Sequence, residues 1–393
     1  MKNELRENEW HLIRNNNGEW ICDEYVVEMD KLTVEVYRMK ASRFGLEVDV
    51  QNGPEGESWC YKFQIEAIDA ADNLTKQQIR ELKIGKATTN TKTMSIKEFT
   101  EKCRELQSCF REENNWEMGV GPNPSSKKFQ INMIVDGEHT GNNFVNDFAF
   151  QYAKDRVEHK QKNETFGEYR LFNNLLSSQP MAFNLFCPFI ALLKRGKENE
   201  VSAIFRAIFP DKGIAKVEQV ELEYLHTDIE NYLNDKTAMD AIIRYIDDEG
   251  KNSFIAIETK YTDVLGTNSP SKTKLHKEWI KKLAVFEKKS EKELLNDEKP
   301  ISQIYRNFLL TESYGVKEGA NRYYSVVLAP AQHPTTLVEV NSLKSELKPE
   351  FQYKISSAAL EDFIEKTLEI CPQSEAAPFI YFKNRYLDFS KLG

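Results

Sequence analysis

Apolar and polar residues alternate along several short stretches near the start of the chain, which is the pattern of half-buried strands. Three strands and then two helices are predicted there, at Leu32–Met39, Phe44–Val50, Trp59–Ile68, Lys76–Lys83 and Ser95–Glu112. The segment Asn52–Gly56 has the composition of a turn. Ser95 is the expected N-cap of the second helix, and Glu98 stands at the capping-box position. Residues 1–120 are therefore predicted to form a mixed α/β domain.

A linker is predicted at Gly119–Ser126, where glycine, proline, asparagine and serine concentrate in the sequence GVGPNPSS. We expect a domain boundary at this point. It divides the chain into an N-terminal domain, residues 1–120, and a second domain, residues 121–393.

Beyond Phe129, helical and strand patterns interleave. Helices are predicted at Phe144–Glu158, Glu164–Leu176, Met181–Lys197, Lys272–Leu295, Ser302–Tyr314 and Ala358–Leu368. Strands are predicted at Val217–Leu225, Thr237–Ile246, Asn252–Thr262 and Tyr323–Pro330. The second and third of these strands are apolar on both faces, which indicates a sheet covered by helices on each side. We expect an α/β/α core with a mixed central sheet.

The composition is that of an ordinary globular protein, with 40% hydrophobic and 29% charged residues. The six cysteines have no zinc-ligand spacing. No apolar run approaches the roughly 18 residues of a membrane span, and the charged N-terminus lacks the apolar core of a signal peptide. We therefore expect a cytoplasmic protein that has no membrane partner.

The charge balance argues against a non-specific nucleic-acid binder, because the net charge is −9. Local charge differs, however. The stretch Lys272–Lys292 is rich in lysine and includes Lys274. It could face a phosphate backbone, or it could be a solvated helix face, and the sequence favours neither.

Candidate chemistry lies in the predicted hairpin of Thr237–Thr262. If the turn is centred on Glu249, Asp240 lies directly across from Glu258, with their Cβ atoms about 5 Å apart on one face of the sheet. Lys260 follows two residues later and shares that face. Two neighbouring carboxylates repel one another unless a cation relieves them, and oxygen ligands of this type suit Mg²⁺. The alternative is a buried Asp240–Lys260 salt bridge with Glu258 at a solvated strand end.

Such a site is equipped for phosphodiester hydrolysis. A bound Mg²⁺ (or Mn²⁺) activates water and neutralises charge on the scissile phosphate. The ammonium of Lys260 can stabilise the charge that develops on the phosphate or orient the attacking water.

Four segments also resemble the motifs of the PD-(D/E)XK nuclease superfamily, and more specifically of its bacterial PGN_0703-like branch. They are Asn173–Phe186, TAMDAIIRY (Thr237–Tyr245), FIAIETKY (Phe254–Tyr261) and QIYRNFLL (Gln303–Leu310). The resemblance extends over roughly Glu164–Pro334. Met239 stands where the superfamily's name has proline, at a position that varies widely. The resemblance implies a restriction-endonuclease-like core.

Residue by residue, the resemblance implies that Asp240 and Glu258 bind the metal, together with the backbone carbonyl of Thr259. It implies that Lys260 is the catalytic lysine. Glu168 matches the position of an additional acidic residue found in many members, although a surface glutamate in the first turn of a helix is an equally good interpretation.

Four further residues are candidates for substrate binding. Gln303 and Arg306 lie one helical turn apart and could reach the scissile phosphate or a base, or could bridge structural elements. Ser178 and Gln179, beside the helix-breaking Pro180, could line the cleft or hold the sheet edge.

The expected function is Mg²⁺-dependent hydrolysis of DNA, and the resemblance suggests a role in phage defence or DNA processing. One alternative is a catalytically inactive nuclease fold that binds nucleic acid or serves assembly. Another is a ribonuclease, since no residue separates RNA from DNA. The N-terminal domain is expected to recognise substrate, a partner protein or a second copy of the chain.

Overall fold

The structure is a computed structural model that describes residues 94–121, 128–160, 164, 167–265, 273–298 and 300–392, together with the backbone of several strands between residues 13 and 63. By contacts the chain divides into two compact units, Met1–Met94 and Ser95–Gly393, and each is described by itself. The helix predicted at Ser95–Glu112 therefore belongs to the second unit. The domain division expected at residue 120 stays a prediction.

The described strands of the first unit form an antiparallel sheet. They are β1 (Ile13–Arg14), β2 (Trp20–Cys22), β3 (Tyr25–Met29), β4 (Leu32–Ser42), β5 (Gly45–Gln51) and β6 (Trp59–Phe63). The predicted turn Asn52–Gly56 and the predicted helix Lys76–Lys83 lie outside the described residues. The α/β character expected for this region therefore stays a prediction.

The second unit combines helices with a sheet and a small hairpin. Its helices are α1 (Ile96–Glu113), α2 (Gly137–Thr140), α3 (Asp147–Glu158), α4 (Glu168–Asn173), α5 (Ser178–Lys194), α6 (Glu198–Ile208), α7 (Lys274–Leu283), α8 (Lys288–Leu294), α9 (Gln303–Glu318), α10 (Thr336–Glu346), α11 (Leu360–Ile370) and α12 (Ala377–Tyr386). Its strands are β7 (Met118–Val120), β8 (Phe129–Ile134), β9 (Ile214–Tyr224), β10 (Met239–Asp247), β11 (Asn252–Thr259), β12 (Tyr323–Ala329) and β13 (Ile355–Ala359).

The central sheet has five strands in the order β13-β12-β11-β10-β9. Strands β9, β10 and β11 pair antiparallel, whereas β11, β12 and β13 pair parallel. The two parallel connections pass through helices, as a parallel pair requires, while a short turn suffices between β10 and β11. The predicted mixed sheet is confirmed.

Helices cover both faces of this sheet. On one face, Ile242 and Val327 pack with Phe308 of α9 in one apolar cluster. On the other face, α5 and α6 pack on β9, and the rings of Phe189 and Phe205 lie 4.8 Å apart between these helices. The layered α/β arrangement is consistent with a restriction-endonuclease-like core.

Some elements differ from the sequence prediction. The single helix predicted at Lys272–Leu295 is two helices, α7 and α8, because Ala284 ends α7 in a left-handed conformation with φ +50°. Residue Lys272 lies outside the described part. Conversely, α5 continues through Pro188, since its apolar side chains are buried on nearly every face. The elements that were not predicted are strands β1, β2, β3, β7, β8 and β13 and helices α2, α6, α10 and α12.

Helix α9 approaches the sheet closely at one glycine. A Cβ atom added to Gly315 would lie 2.3 Å from ring atoms of Tyr323, at the start of β12. Real Cβ contacts do not approach this distance, so only glycine permits the observed packing of α9 on β12.

Candidate active site

The hairpin of β10 and β11 has the predicted register. Ala241 lies opposite Ile257 and Ile246 opposite Asn252, which centres the turn on Glu249. Continued by one residue, this register brings Asp240 opposite Glu258. Both strands are almost wholly buried, so their apolar side chains fix which face each charged residue occupies.

Asp247 holds the turn of this hairpin together. Its side chain accepts hydrogen bonds from the backbone N–H of Glu249 and Lys251, and from the side chains of Ser253 and Asn321. Burial opposes ionisation of Asp247, but these donors outweigh it and hold its pKa at about 2. The turn is therefore fixed by a charged carboxylate.

Asp240 lies at the start of β10 and bonds across to β11. Its Oδ2 accepts hydrogen bonds from the backbone N–H of Thr259 (2.7 Å) and from the Thr259 hydroxyl (2.8 Å). Burial raises the pKa of Asp240 well above its usual value, and the nearby charges of Glu258 and Glu223 raise it further. The side chain is thus held in place within an excess of negative charge.

Glu258 and Lys260 form a buried ion pair, with Oε1 and Nζ 2.7 Å apart and both side chains almost fully covered. Helix α9 supplies the remaining partners. Gln303 donates to Glu258 Oε1 at 2.7 Å and accepts from Lys260 Nζ at 3.0 Å, and Asn307 donates to Glu258 Oε2 at 2.6 Å. Burial disfavours the charged form of Lys260, but the carboxylates of Glu258 and Asp240 reverse this and raise its pKa.

A third carboxylate, Glu223, was not singled out from the sequence. Met239 lies opposite Tyr224 and Ala241 opposite Leu222, so Glu223 of β9 stands opposite Asp240. Burial raises the pKa of Glu223 to about 7. The hydrogen bond from Gln179 lowers this pKa, whereas the charge of Glu258 raises it further. The strand itself was predicted, but its pairing register was not, because a long loop separates β9 from β10.

These groups face one cavity of about 600 Å³. Its lining includes six residues that the sequence analysis proposed, namely Ser178, Gln179, Asp240, Glu258, Lys260 and Gln303, and further polar residues that it did not, among them Arg170, Glu223 and Asp263. Ser178 donates to Asp263 Oδ2 at 3.1 Å. The segment that follows β11 and the first turn of α5 therefore share the walls of one cleft.

Three other candidates lie elsewhere. Glu168 is exposed and pairs with Lys160 at 2.7 Å. Lys274 is exposed on α7 and pairs with Glu278 at 3.5 Å. Arg306 is largely buried against Asp235, to which it donates two hydrogen bonds. None of the three is among the residues that line the cavity, and their proposed roles stay predictions.

The donor set of the cavity fits a divalent cation. Asp240, Glu258 and Glu223 present carboxylate oxygens, which are the hard ligands that Mg²⁺ prefers, and each carboxylate keeps at least one lone pair beyond its hydrogen bonds. Burial is the main cause of the raised pKa values of Asp240 and Glu223, and the charges of the neighbouring carboxylates raise both further. The identity of the metal, Mg²⁺ or Mn²⁺, stays a prediction.

A second acidic group lies away from the cavity. Within the part of the chain that the structure describes, Asp136, Glu138 and His139 bring one ligand atom each within 4.8 Å of the others. Asp136 and His139 are exposed and bonded to each other, and Glu138 accepts from Asn173. These contacts satisfy the group without an ion. None of the described helices has the length and apolar character needed to cross a membrane.

Comparison with known protein families gives a match that covers the cavity. A family model described as the PD-(D/E)XK nuclease superfamily matches residues 94–388, which is most of the chain and includes every residue of the cavity. No curated protein and no solved structure matches the chain.

Proposed function

The chain belongs to the PD-(D/E)XK nuclease superfamily, as its motifs predicted, and on that premise we propose that it is a divalent-metal-dependent nuclease that hydrolyses DNA. One observation supports this most strongly. Asp240, Glu258 and Lys260, which match the catalytic motif, line the same cavity, and neighbouring side chains hold each of them in place.

Asp240, Glu258 and the carbonyl of Thr259 would hold the metal. When bound, Mg²⁺ or Mn²⁺ would neutralise charge on the scissile phosphate and make a bound water more acidic. The hydrogen bonds from Thr259 to Asp240, and from Gln303 and Asn307 to Glu258, fix both carboxylates before any ligand arrives. A site ordered in this way spends little energy on rearrangement when the substrate binds.

Lys260 lies beside Glu258 and points into the cavity. As an ammonium it donates hydrogen bonds and does not accept them, so it is suited to stabilise the negative charge that develops on phosphate oxygens. Gln303 accepts from Lys260 Nζ and limits where that group can lie. Arg170 lines the same cavity, where its contact among the described residues is the hydroxyl of Ser177 at 3.4 Å. It is available to a second phosphate.

The finer parts of the proposal rest on the resemblance. They are the preference for DNA over RNA and a role in phage defence or DNA processing. Separately, the N-terminal region is proposed to recognise substrate, a partner or a second copy of the chain.

A cleavage assay tests the proposal. Wild type, Asp240→Asn, Glu258→Ala and Lys260→Ala are incubated with single- and double-stranded DNA and RNA in Mg²⁺, Mn²⁺ or EDTA. We expect cleavage of DNA that EDTA abolishes and that each substitution lowers by at least about 100-fold. Lys216→Ala, an exposed lysine on β9, is the control and should cleave as wild type does.

The outcomes separate the alternatives. Cleavage of RNA alone would identify a ribonuclease. Nucleic-acid binding without cleavage in either metal would identify an inactive nuclease fold. Activity that persists in EDTA would overturn the proposed site. Activity that persists in Lys260→Ala would do the same.

A further inference from the structure

Glu223 occupies a defined place beside the candidate metal ligands. Strands β9, β10 and β11 are neighbours, and their registers align Glu223, Asp240 and Glu258 in one row across the sheet. Each of the three lines the cavity of about 600 Å³. Glu223 and Gln303 also line an adjoining cavity of about 180 Å³, so the Glu223 side chain stands in the wall between the two spaces.

Both the backbone and the side chain of Glu223 are held. Its carbonyl accepts a hydrogen bond from Arg156 at 2.9 Å, and its Oε1 accepts one from Gln179 Nε2 at 2.9 Å. The neutral amide of Gln179 positions the carboxylate without neutralising it. A structural glutamate at a buried site is normally paired with a cation. Among the described residues, the hydrogen-bond partner of the Glu223 carboxylate is an amide.

The charges of the row are unbalanced. Glu223, Asp240 and Glu258 supply three carboxylates, and among the described residues that line the cavity their ion-pair partner is Lys260, bonded to Glu258. The guanidinium of Arg156, which bonds the carbonyl of Glu223, is paired with Glu164. Arg170 and Asp263, the other charged residues of the cavity, offset each other. When all three carboxylates are ionised, the excess of two negative charges equals the charge of one divalent cation. Asp240 and Glu258 with Lys260 would leave only one.

We infer that Glu223 is a third acidic residue of the metal site, which contributes its carboxylate to the divalent cation or to a water bound to it. This inference rests on the proposed function. It assigns to a strand residue the part that the resemblance gives to Glu168, whose side chain is exposed, pairs with Lys160 and does not line the cavity.

Metal binding is measured directly, apart from activity. Mn²⁺ affinity is determined by calorimetry and by the Mn²⁺-induced rise in Tm, for wild type, Glu223→Gln, Glu168→Gln and Glu218→Gln. Glu218 is an exposed glutamate on the same strand and serves as the matched control. We expect Glu223→Gln to weaken Mn²⁺ binding by about 10–100-fold, with the other two variants close to wild type.

A second readout separates a metal-site residue from a purely structural one. In EDTA, Glu223→Gln should have a Tm equal to or above that of wild type, because it removes one of three mutually repelling carboxylates. A lower Tm in EDTA together with unchanged Mn²⁺ affinity would show a structural role and overturn the inference. So would weakened Mn²⁺ binding in Glu168→Gln but not in Glu223→Gln.

The test also distinguishes this inference from the proposed function. If wild type neither binds Mn²⁺ nor cleaves nucleic acid, the proposed function fails, and the inference fails with it. If wild type binds Mn²⁺ and cleaves, and Glu223→Gln binds Mn²⁺ as tightly as wild type does, the nuclease assignment stands and the role given to Glu223 is wrong.

Discussion

Arg306 offers a sharp test of how far a motif residue is structural. The resemblance suggested that it binds substrate, but its guanidinium donates to both carboxylate oxygens of Asp235, at 2.7 and 2.5 Å, and also to the hydroxyl of Thr237. His276 Nε2 lies 3.2 Å from the same carboxylate. We predict that Arg306→Gln destabilises the fold and that its effect on the site is indirect.

The size of the expected destabilisation follows from the burial of the Arg306–Asp235 pair. The side chain of Arg306 is 13% exposed and that of Asp235 is 7% exposed, so the pair is shielded from water. Breaking a buried pair by removing one partner costs about 3–5 kcal/mol, because the other charge stays buried without compensation. His276 and Thr237 remain as partners of Asp235, which favours the lower end. We therefore expect Arg306→Gln to lose about 3 kcal/mol, or a Tm lower by roughly 6–12 °C.

Urea unfolding of a double-mutant cycle measures this. The cycle comprises wild type, Arg306→Gln, Asp235→Asn and the double variant, with Arg306→Lys as the charge-conserving control. The loss in free energy of unfolding in the double variant should be smaller than the sum of the losses in the two single variants, with a coupling energy of about 1.5–3 kcal/mol. Lysine cannot make the bidentate contact, so Arg306→Lys should fall between wild type and Arg306→Gln.

The same pair predicts a pH dependence. The pKa of Asp235 lies well below its usual value because hydrogen bonds from His276 and Arg306 outweigh the opposing effect of burial. A carboxyl group whose pKa is lower in the folded state stabilises the fold above its unfolded pKa, and this contribution is lost as the pH falls. The difference between wild type and Arg306→Gln should therefore shrink below about pH 4. If Arg306→Gln unfolds within about 0.5 kcal/mol of wild type but binds nucleic acid more weakly, the structural interpretation is wrong.

Two other predictions concern the fold. Asp247→Asn should destabilise the second unit by about 1–2 kcal/mol in urea unfolding, because four donors at the hairpin turn lose a charged acceptor; an unchanged midpoint would contradict this. A fragment of residues 95–393 should be soluble and cooperative in thermal unfolding, whereas residues 121–393 should aggregate. The shorter fragment lacks α1, whose Phe99 and Leu106 are fully buried, and a cooperative transition for it would place the boundary at residue 120 after all.

The hairpin could be predicted because its information is local. A five-residue polar stretch separates two apolar strands, so the centre of the turn fixes the register, and the register fixes Asp240 opposite Glu258. The capping box of Ser95 and Glu98 was readable for the same reason, since both partners lie within one turn. In each case the residues that interact are close in sequence.

The remainder of the site depends on contacts between distant segments. The amides that hold Glu258 come from α9, more than 40 residues away in the sequence. The hydrophobic periodicity of a helix does not determine which of its faces packs against which strand. Glu223 was missed because the loop between β9 and β10 is long enough to permit several registers. Strand β13 was missed because its sequence, ISSAA, has small and polar residues in place of an apolar alternation, and it becomes a strand only by pairing with β12.

Because of the tight contact at Gly315, the geometry of the cavity depends on a residue that lies far from it. Gln303 begins the same helix twelve residues earlier, which is roughly 18 Å along its axis. A helix is stiff over this length, so a larger residue at position 315 would tilt or lift the whole rod and carry the amides of Gln303 and Asn307 away from Glu258. If the chain is a nuclease as proposed, substitutions at this remote, uncharged position should abolish cleavage, and screens for inactive variants should recover Gly315 alongside the acidic residues.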